Sequence, residues 1–170
     1  MKFDFTKRSA AIGKINLREE HHGDDKKLAV DVPLRFAITM KEFDMVAPCQ
    51  GVKLSKILFD EKKRPVTHLL SPLSIHRKPE HITLTIYHHQ LEEAKRKLVF
   101  KDVTIKGISI EIEDGGTLTL DCKAQFRPTA KDREHLIDCM GESRNFECFA
   151  TQAELFQKEE DEEGEEAEEA

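Results

Sequence analysis

The stretch VTIKGISIEIEDGGTLTLDCKAQFR, residues 103–127, leaves a chain the fewest conformational options. Ile108, Ile110 and Ile112 alternate with Ser109, Glu111 and Glu113. Beyond Asp114-Gly115-Gly116, the residues Leu118, Leu120, Cys122, Ala124 and Phe126 alternate with Thr119, Asp121, Lys123 and Gln125. Successive side chains of a strand point to opposite faces, so period two on both sides of an Asp-Gly-Gly unit predicts an antiparallel hairpin with one apolar face. The apolar positions Val103 and Ile105 are odd-numbered, and the set becomes even-numbered after Gly107. A parity change at a glycine predicts a β-bulge, where one extra residue re-aims the strand.

Two more segments share this period. Leu28, Val30, Val32, Leu34, Phe36 and Ile38 alternate through a long strand, in which Pro33 requires either an edge position or an opening of the ladder. Ile82, Leu84 and Ile86 alternate with Thr83, Thr85 and Tyr87. Residues 97–105 and 12–18 add weaker strands. Short helices fit 41–47 and 54–61, with Pro48 and Pro65 just beyond them. A better helix spans 129–142: Thr129 or Asp132 caps it, Leu136, Ile137, Cys139 and Met140 form its apolar side, and Gly141 stops it. Residues 62–81, broken by Pro65, Pro72 and Pro79, read as loop, and 146–157 suits a helix or a strand. The expected fold is mainly β (α+β): an antiparallel sandwich or partly open OB-like barrel over 1–157, with one or two short helices.

Residues 158–170 carry nine carboxylates and Lys158, a net charge of −8, and no apolar side chain larger than alanine. A block of like charges with so little to bury predicts a disordered acidic C-terminal tail. The remaining 157 residues hold 26 Lys/Arg against 24 Asp/Glu, a net +2, so the overall −6 conceals a mildly basic body. Its cations cluster: Lys2, Lys7, Arg8, Lys14 and Arg18; then Lys53, Lys56, Lys62, Lys63 and Arg64; then Lys95, Arg96, Lys97, Lys101 and Lys106. No apolar run reaches membrane-spanning length, and the basic N-terminal stretch lacks the apolar region of a signal peptide. Four cysteines without a CxxC fit buried, reduced thiols and an intracellular, cytoplasmic setting.

Catalytic and metal signatures are sparse. His21-His22 and His88-His89 are adjacent pairs whose members point to opposite faces of a strand, so neither pair chelates as a unit. His76 and His81 have no chelating spacing, and EHHGDD (20–25) reads as a polar turn between strands. No nucleophile elbow, zinc-protease helix, phosphate-binding loop or dinucleotide fingerprint occurs. The reading is therefore non-enzymatic, with no cofactor and no metal.

Cations that track a phosphate backbone, together with rings on which bases stack, are what a single-strand binder needs. The N-terminal stretch mixes Lys2, Lys7, Arg8, Lys14 and Arg18 with Phe3 and Phe5; the alternative is that these rings begin an edge strand. Tyr87, on the polar side of its strand, is a candidate platform or a surface cover, and Lys95, Arg96 and Lys97 form a second basic patch. A tethered polyanion competes with nucleic acid for such surfaces, which gives the acidic tail a regulatory role beside the simpler one of solubility.

The stretches AIGKINLREEHHGDDKKLAVDVPLRF and IEIEDGGTLTLDCKAQF resemble a group of small accessory proteins encoded by tailed bacteriophages and prophages. The resemblance covers most of residues 10–150: a KIN-then-HG segment leads into a long strand, and a late GG hairpin precedes a short helix. It implies a phage accessory protein in the bacterial cytoplasm, of a kind often encoded near replication and recombination genes, and carries over no catalytic residue. The expected function is sequence-independent single-stranded DNA binding in replication or recombination. The alternative is inhibition of a host DNA-binding or defence enzyme through the acidic tail. A phage or host replication, recombination or defence protein, and a second copy of the chain, stay open as partners; a membrane is not expected.

Overall fold

The predicted hairpin is the spine of the computed structural model, which describes residues 2–22, 25–66, 72–87, 97–113 and 116–150. Strands β6 (Lys97–Ile112) and β7 (Leu118–Phe126) pair antiparallel from Ile112↔Leu118 to Thr104↔Gln125. The register shifts between Lys106 and Ser109, and Gly107 there has φ +59°, the left-handed conformation a glycine adopts freely. The weaker strand expected over 97–105 is the first half of β6. A second bulge kinks it: the ladder with β5 (Ile82–Tyr87) jumps from Leu84↔Phe100 to Ile82↔Val103, with Asp102 at φ +58°.

The remaining strands close a ring. β3 (Asp25–Ile38) joins β7, and β8 (Ser143–Ala150) lies between β5 and β1 (Phe5–Ile12). β1 meets β3 through Ala11↔Arg35 and Ile12↔Leu34. Six antiparallel strands, in the order β1-β8-β5-β6-β7-β3, thus form a closed barrel where a sandwich or partly open barrel was expected. Closure removes the open sheet edges that would otherwise invite pairing with another chain. Two strands stay outside the ring: β2 (Asn16–His22) on β3, and β4 (Leu73–Ile75) on β6, the latter within a segment expected to be all loop.

Pro33 marks the point that makes closure feasible. Along one edge of β3 the partner is β2 over 25–31 and β1 over 34–35. The Gly13 N–H donates to the Pro33 carbonyl at 3.0 Å, so that carbonyl, and the edge where the proline lacks a donor, face the β1–β2 break. The ladder opens there, as one of the two expected readings required, and the strand expected over 12–18 is split into β1 and β2 at residues 13–15.

Three short helices are described. α1 (Met40–Val46) is capped by Thr39, whose hydroxyl accepts the Glu42 N–H while the Glu42 carboxylate accepts the Thr39 N–H, a reciprocal capping box. α2 (Leu54–Leu58) stops earlier than expected because buried Phe59 turns into a bridge with Pro65. α3 (Ala130–Ile137) is capped by Thr129 and ends four residues before Gly141; Leu136 and Cys139 are buried, but Ile137 and Met140 face outward. The barrel interior holds an edge-to-face chain of rings, Phe3, Phe5, Phe36 and Phe146, with centroids 4.7–5.0 Å apart. Phe100 and Phe126 stack at 4.1 Å. Residues 151–170, including the acidic tail, lie outside the described residues.

Candidate nucleic-acid interface

The inward faces of β3, β6 and β7 are apolar, so their alternate residues project from the barrel in rows that cross the strands. One row runs Pro33↔Lys123↔Lys106. The bulge at Gly107 creates it: an unbulged hairpin would pair Lys106 with Ala124, whereas one extra residue sets Lys106 opposite Lys123. Gly13, whose N–H donates to the Pro33 carbonyl and whose Cα faces the Pro33 ring, ends the row at the β1–β2 break, and Lys14 is the next residue along the chain. Lys14 and Lys123 are exposed and Lys106 is half-buried. None of the three has a carboxylate at ion-pairing distance among the described residues. Strand spacing of about 4.8 Å makes the row a compact cationic band.

On one side the band gives way to a neutralised row, where Arg35 bridges Asp121 at 2.9 Å and Glu111. On the other side lies a polar cleft of about 340 Å³, lined by Glu20, Lys101, Asp102, Lys106, Gln125 and Arg127 among others. Its hub is Glu20 of β2, which accepts hydrogen bonds from Gln125 Nε2 at 3.0 Å and from Arg127 Nε and Nη2 at 3.1 and 2.8 Å. Lys101 is exposed and, like the band lysines, has no acidic partner among the described residues. At the rim, His81 Nδ1 lies 2.7 Å from Asp102 Oδ1; both residues have positive φ, and the contact braces the second bulge of β6. Among the described residues no three His, Cys, Asp or Glu side chains are grouped to hold a metal ion. The cleft is lined by three carboxylates, Glu20, Glu80 and Asp102, and three cations, Lys101, Lys106 and Arg127, of which Arg127 is already held by Glu20.

The residues singled out in the sequence are dispersed by the fold. Phe3 and Phe5 are 4% and 2% exposed, inside the barrel, so the ring of neither can receive a base; Phe5 opens β1, but that strand is no edge, since β8 and β3 flank it. The basic N-terminal stretch is strand, and most of its cations are already paired. Lys2 meets Asp4 at 3.0 Å, Arg8 is bound to Glu42 of the α1 capping box, and Arg18 meets Glu20 at 2.8 Å and Asp31 at 3.4 Å. Lys7 is exposed at φ +48°, in a bulge of β1. Tyr87 is half-buried, donates its hydroxyl to Glu147 at 3.0 Å and stands opposite exposed Lys97. Lys95 and Arg96 lie outside the described residues. Phe149, on the β8 neighbour of β5, is 44% exposed, a surface ring that the ambiguous 146–157 segment concealed. Of the expected contacts, exposed Lys14 lies next to the end of the row, at the β1–β2 break; Lys106 and Lys123 were legible only by counting the hairpin register through its bulge.

No family model, no curated protein sequence and no solved structure matches the chain. No described helix is long and apolar enough to cross a membrane.

Proposed function

We propose that this chain is a non-enzymatic, sequence-independent single-stranded DNA binder, of use to a phage during replication or recombination, and that its phosphate-contacting surface is centred on the Lys106–Lys123 pair, with Lys14 and Lys101 as flanking cations. One observation carries the reading: two lysines stand directly opposite each other on an open barrel face without a counter-ion among the described residues. Like charges in that position destabilise a sheet, and an external polyanion relieves the repulsion. Small barrels commonly present nucleic-acid-binding strands, and this one is compatible with an oligonucleotide-binding barrel, with six strands where that fold has five.

The test is fluorescence anisotropy of a labelled single strand of about 30 nucleotides across a salt series. Binding should weaken steeply with salt, as counterion release demands. Lys106→Glu with Lys123→Glu should lower the log–log slope by about 1.4, two phosphate contacts at the single-strand value. Competition with duplex of the same length checks strand preference. Absence of binding at low salt would end the DNA reading and turn attention to the acidic segment as an inhibitor of a host enzyme.

A further inference from the structure

We infer that the groove between α1 and α2 is the seat of this chain's own acidic segment: Leu155 and Phe156 enter its apolar floor, and the carboxylates of 159–169 lie along its lysines. The groove, of about 630 Å³, has a floor of Met40, Met45, Pro48 and Val52 and a rim of Lys41, Lys53 and Lys56. All three lysines are exposed and without an acidic partner among the described residues. Asp44, the one acid in the lining, is occupied by the Ser55 N–H at 2.9 Å and the Ser55 hydroxyl at 2.6 Å. The rim is therefore a net cationic frame around an adaptable methionine floor, which fits an occupant that is acidic and carries a few apolar side chains.

The path of the chain selects that occupant. The described chain ends at Ala150, whose N–H donates to Asp4 Oδ1 at 3.3 Å. Asp4 pairs with Lys2, and the Lys2 N–H donates to the carbonyl of Met45, a residue of the groove floor, at 3.0 Å. The described chain therefore ends beside the groove. Seven residues lie between Ala150 and Lys158, so eight steps along the chain give a reach of roughly 26 Å when extended. Over that distance the tether keeps nine carboxylates at high effective concentration around three lysines. The inference stands apart from the DNA reading, since it uses neither the lysine band nor a nucleic acid.

Cys49 supplies the probe, because it lines the groove and is exposed, while Cys122, Cys139 and Cys148 are buried with thiol pKa values pushed up chiefly by that burial. The reaction of Cys49 with the neutral disulfide 4,4′-dithiodipyridine should be severalfold slower in the native full-length chain than in one carrying Glu159→Gln, Glu160→Gln, Asp161→Asn, Glu162→Gln and Glu163→Gln. The two rates should converge at about 0.5 M salt, where screening is nearly complete within a side chain's length. Lys41→Glu with Lys53→Glu and Lys56→Glu should also release Cys49. Phe156→Ser, which leaves every charge in place, should release it in part. Equal rates at low salt would overturn the inference. So would protection that fades on dilution, which marks a second copy's tail, or protection unchanged by Phe156→Ser, which marks charge acting without docking.

Discussion

Lys106 and Lys123 are register partners on the outer face of the barrel, one strand spacing apart. Their repulsion is a cost that the fold carries and that a bound polyanion would remove. Lys123→Glu converts the like pair into an opposite pair and should stabilise the free protein by about 1 kcal/mol at low salt, less as salt rises. The same substitution should weaken oligonucleotide binding. Urea midpoints at two ionic strengths, with anisotropy on the same samples, check both halves. A substitution that destabilises the protein while leaving affinity intact would remove the band from the site.

That pairing depends on Gly107. At φ +59° with no atom within 4 Å of an added Cβ, the position constrains backbone conformation and not space. Gly107→Ala should cost about 1–2 kcal/mol, and Gly107→Asn less, because asparagine tolerates the left-handed region better. Thermal or urea unfolding of the two variants gives the comparison. Equal costs would mean that something other than φ governs the site.

The contrast between the two bulges of β6 shows what a sequence discloses. At Gly107 the residue type and the parity change coincide, so the bulge and hairpin were legible. At Asp102 the same device is carried by an aspartate, and in β1 by Lys7, residues that give no such signal. Barrel closure was less legible still, because it pairs β1 with β8 across more than a hundred residues and no local periodicity records that. Phe3 and Phe5 illustrate the consequence for the site: two rings among cations look like a stacking surface until β8 is known to cover them. Surface charge was legible as composition, but which cations are paired is set by long-range partners such as Glu20 and Glu42.

Arg8 and Glu42 tie the first strand to the first helix, and the pair should appear in the acid limb of stability. Partial burial of the Glu42 carboxyl pushes its pKa up, but hydrogen bonds from the Thr39 backbone, the Arg8 guanidinium and the Thr39 hydroxyl outweigh it and hold the group below the usual glutamate range. A group depressed in the folded state stabilises fully above its unfolded pKa, about 4.3 for glutamate, and loses that contribution as pH falls through the lower folded value. Glu42→Gln, which keeps the side chain's shape, should therefore cost about 1 kcal/mol at pH 7. The gap to the parent protein should narrow once pH drops below about 4 and close when the parent's Glu42 is protonated. Arg8→Ala should show the same narrowing and leave oligonucleotide affinity unchanged, because that guanidinium is already engaged. Urea midpoints from pH 7 to pH 3 measure the gap directly. A difference between parent and Glu42→Gln that stays constant over this range would mean that shape alone, and not the ionised carboxylate, holds α1 to β1.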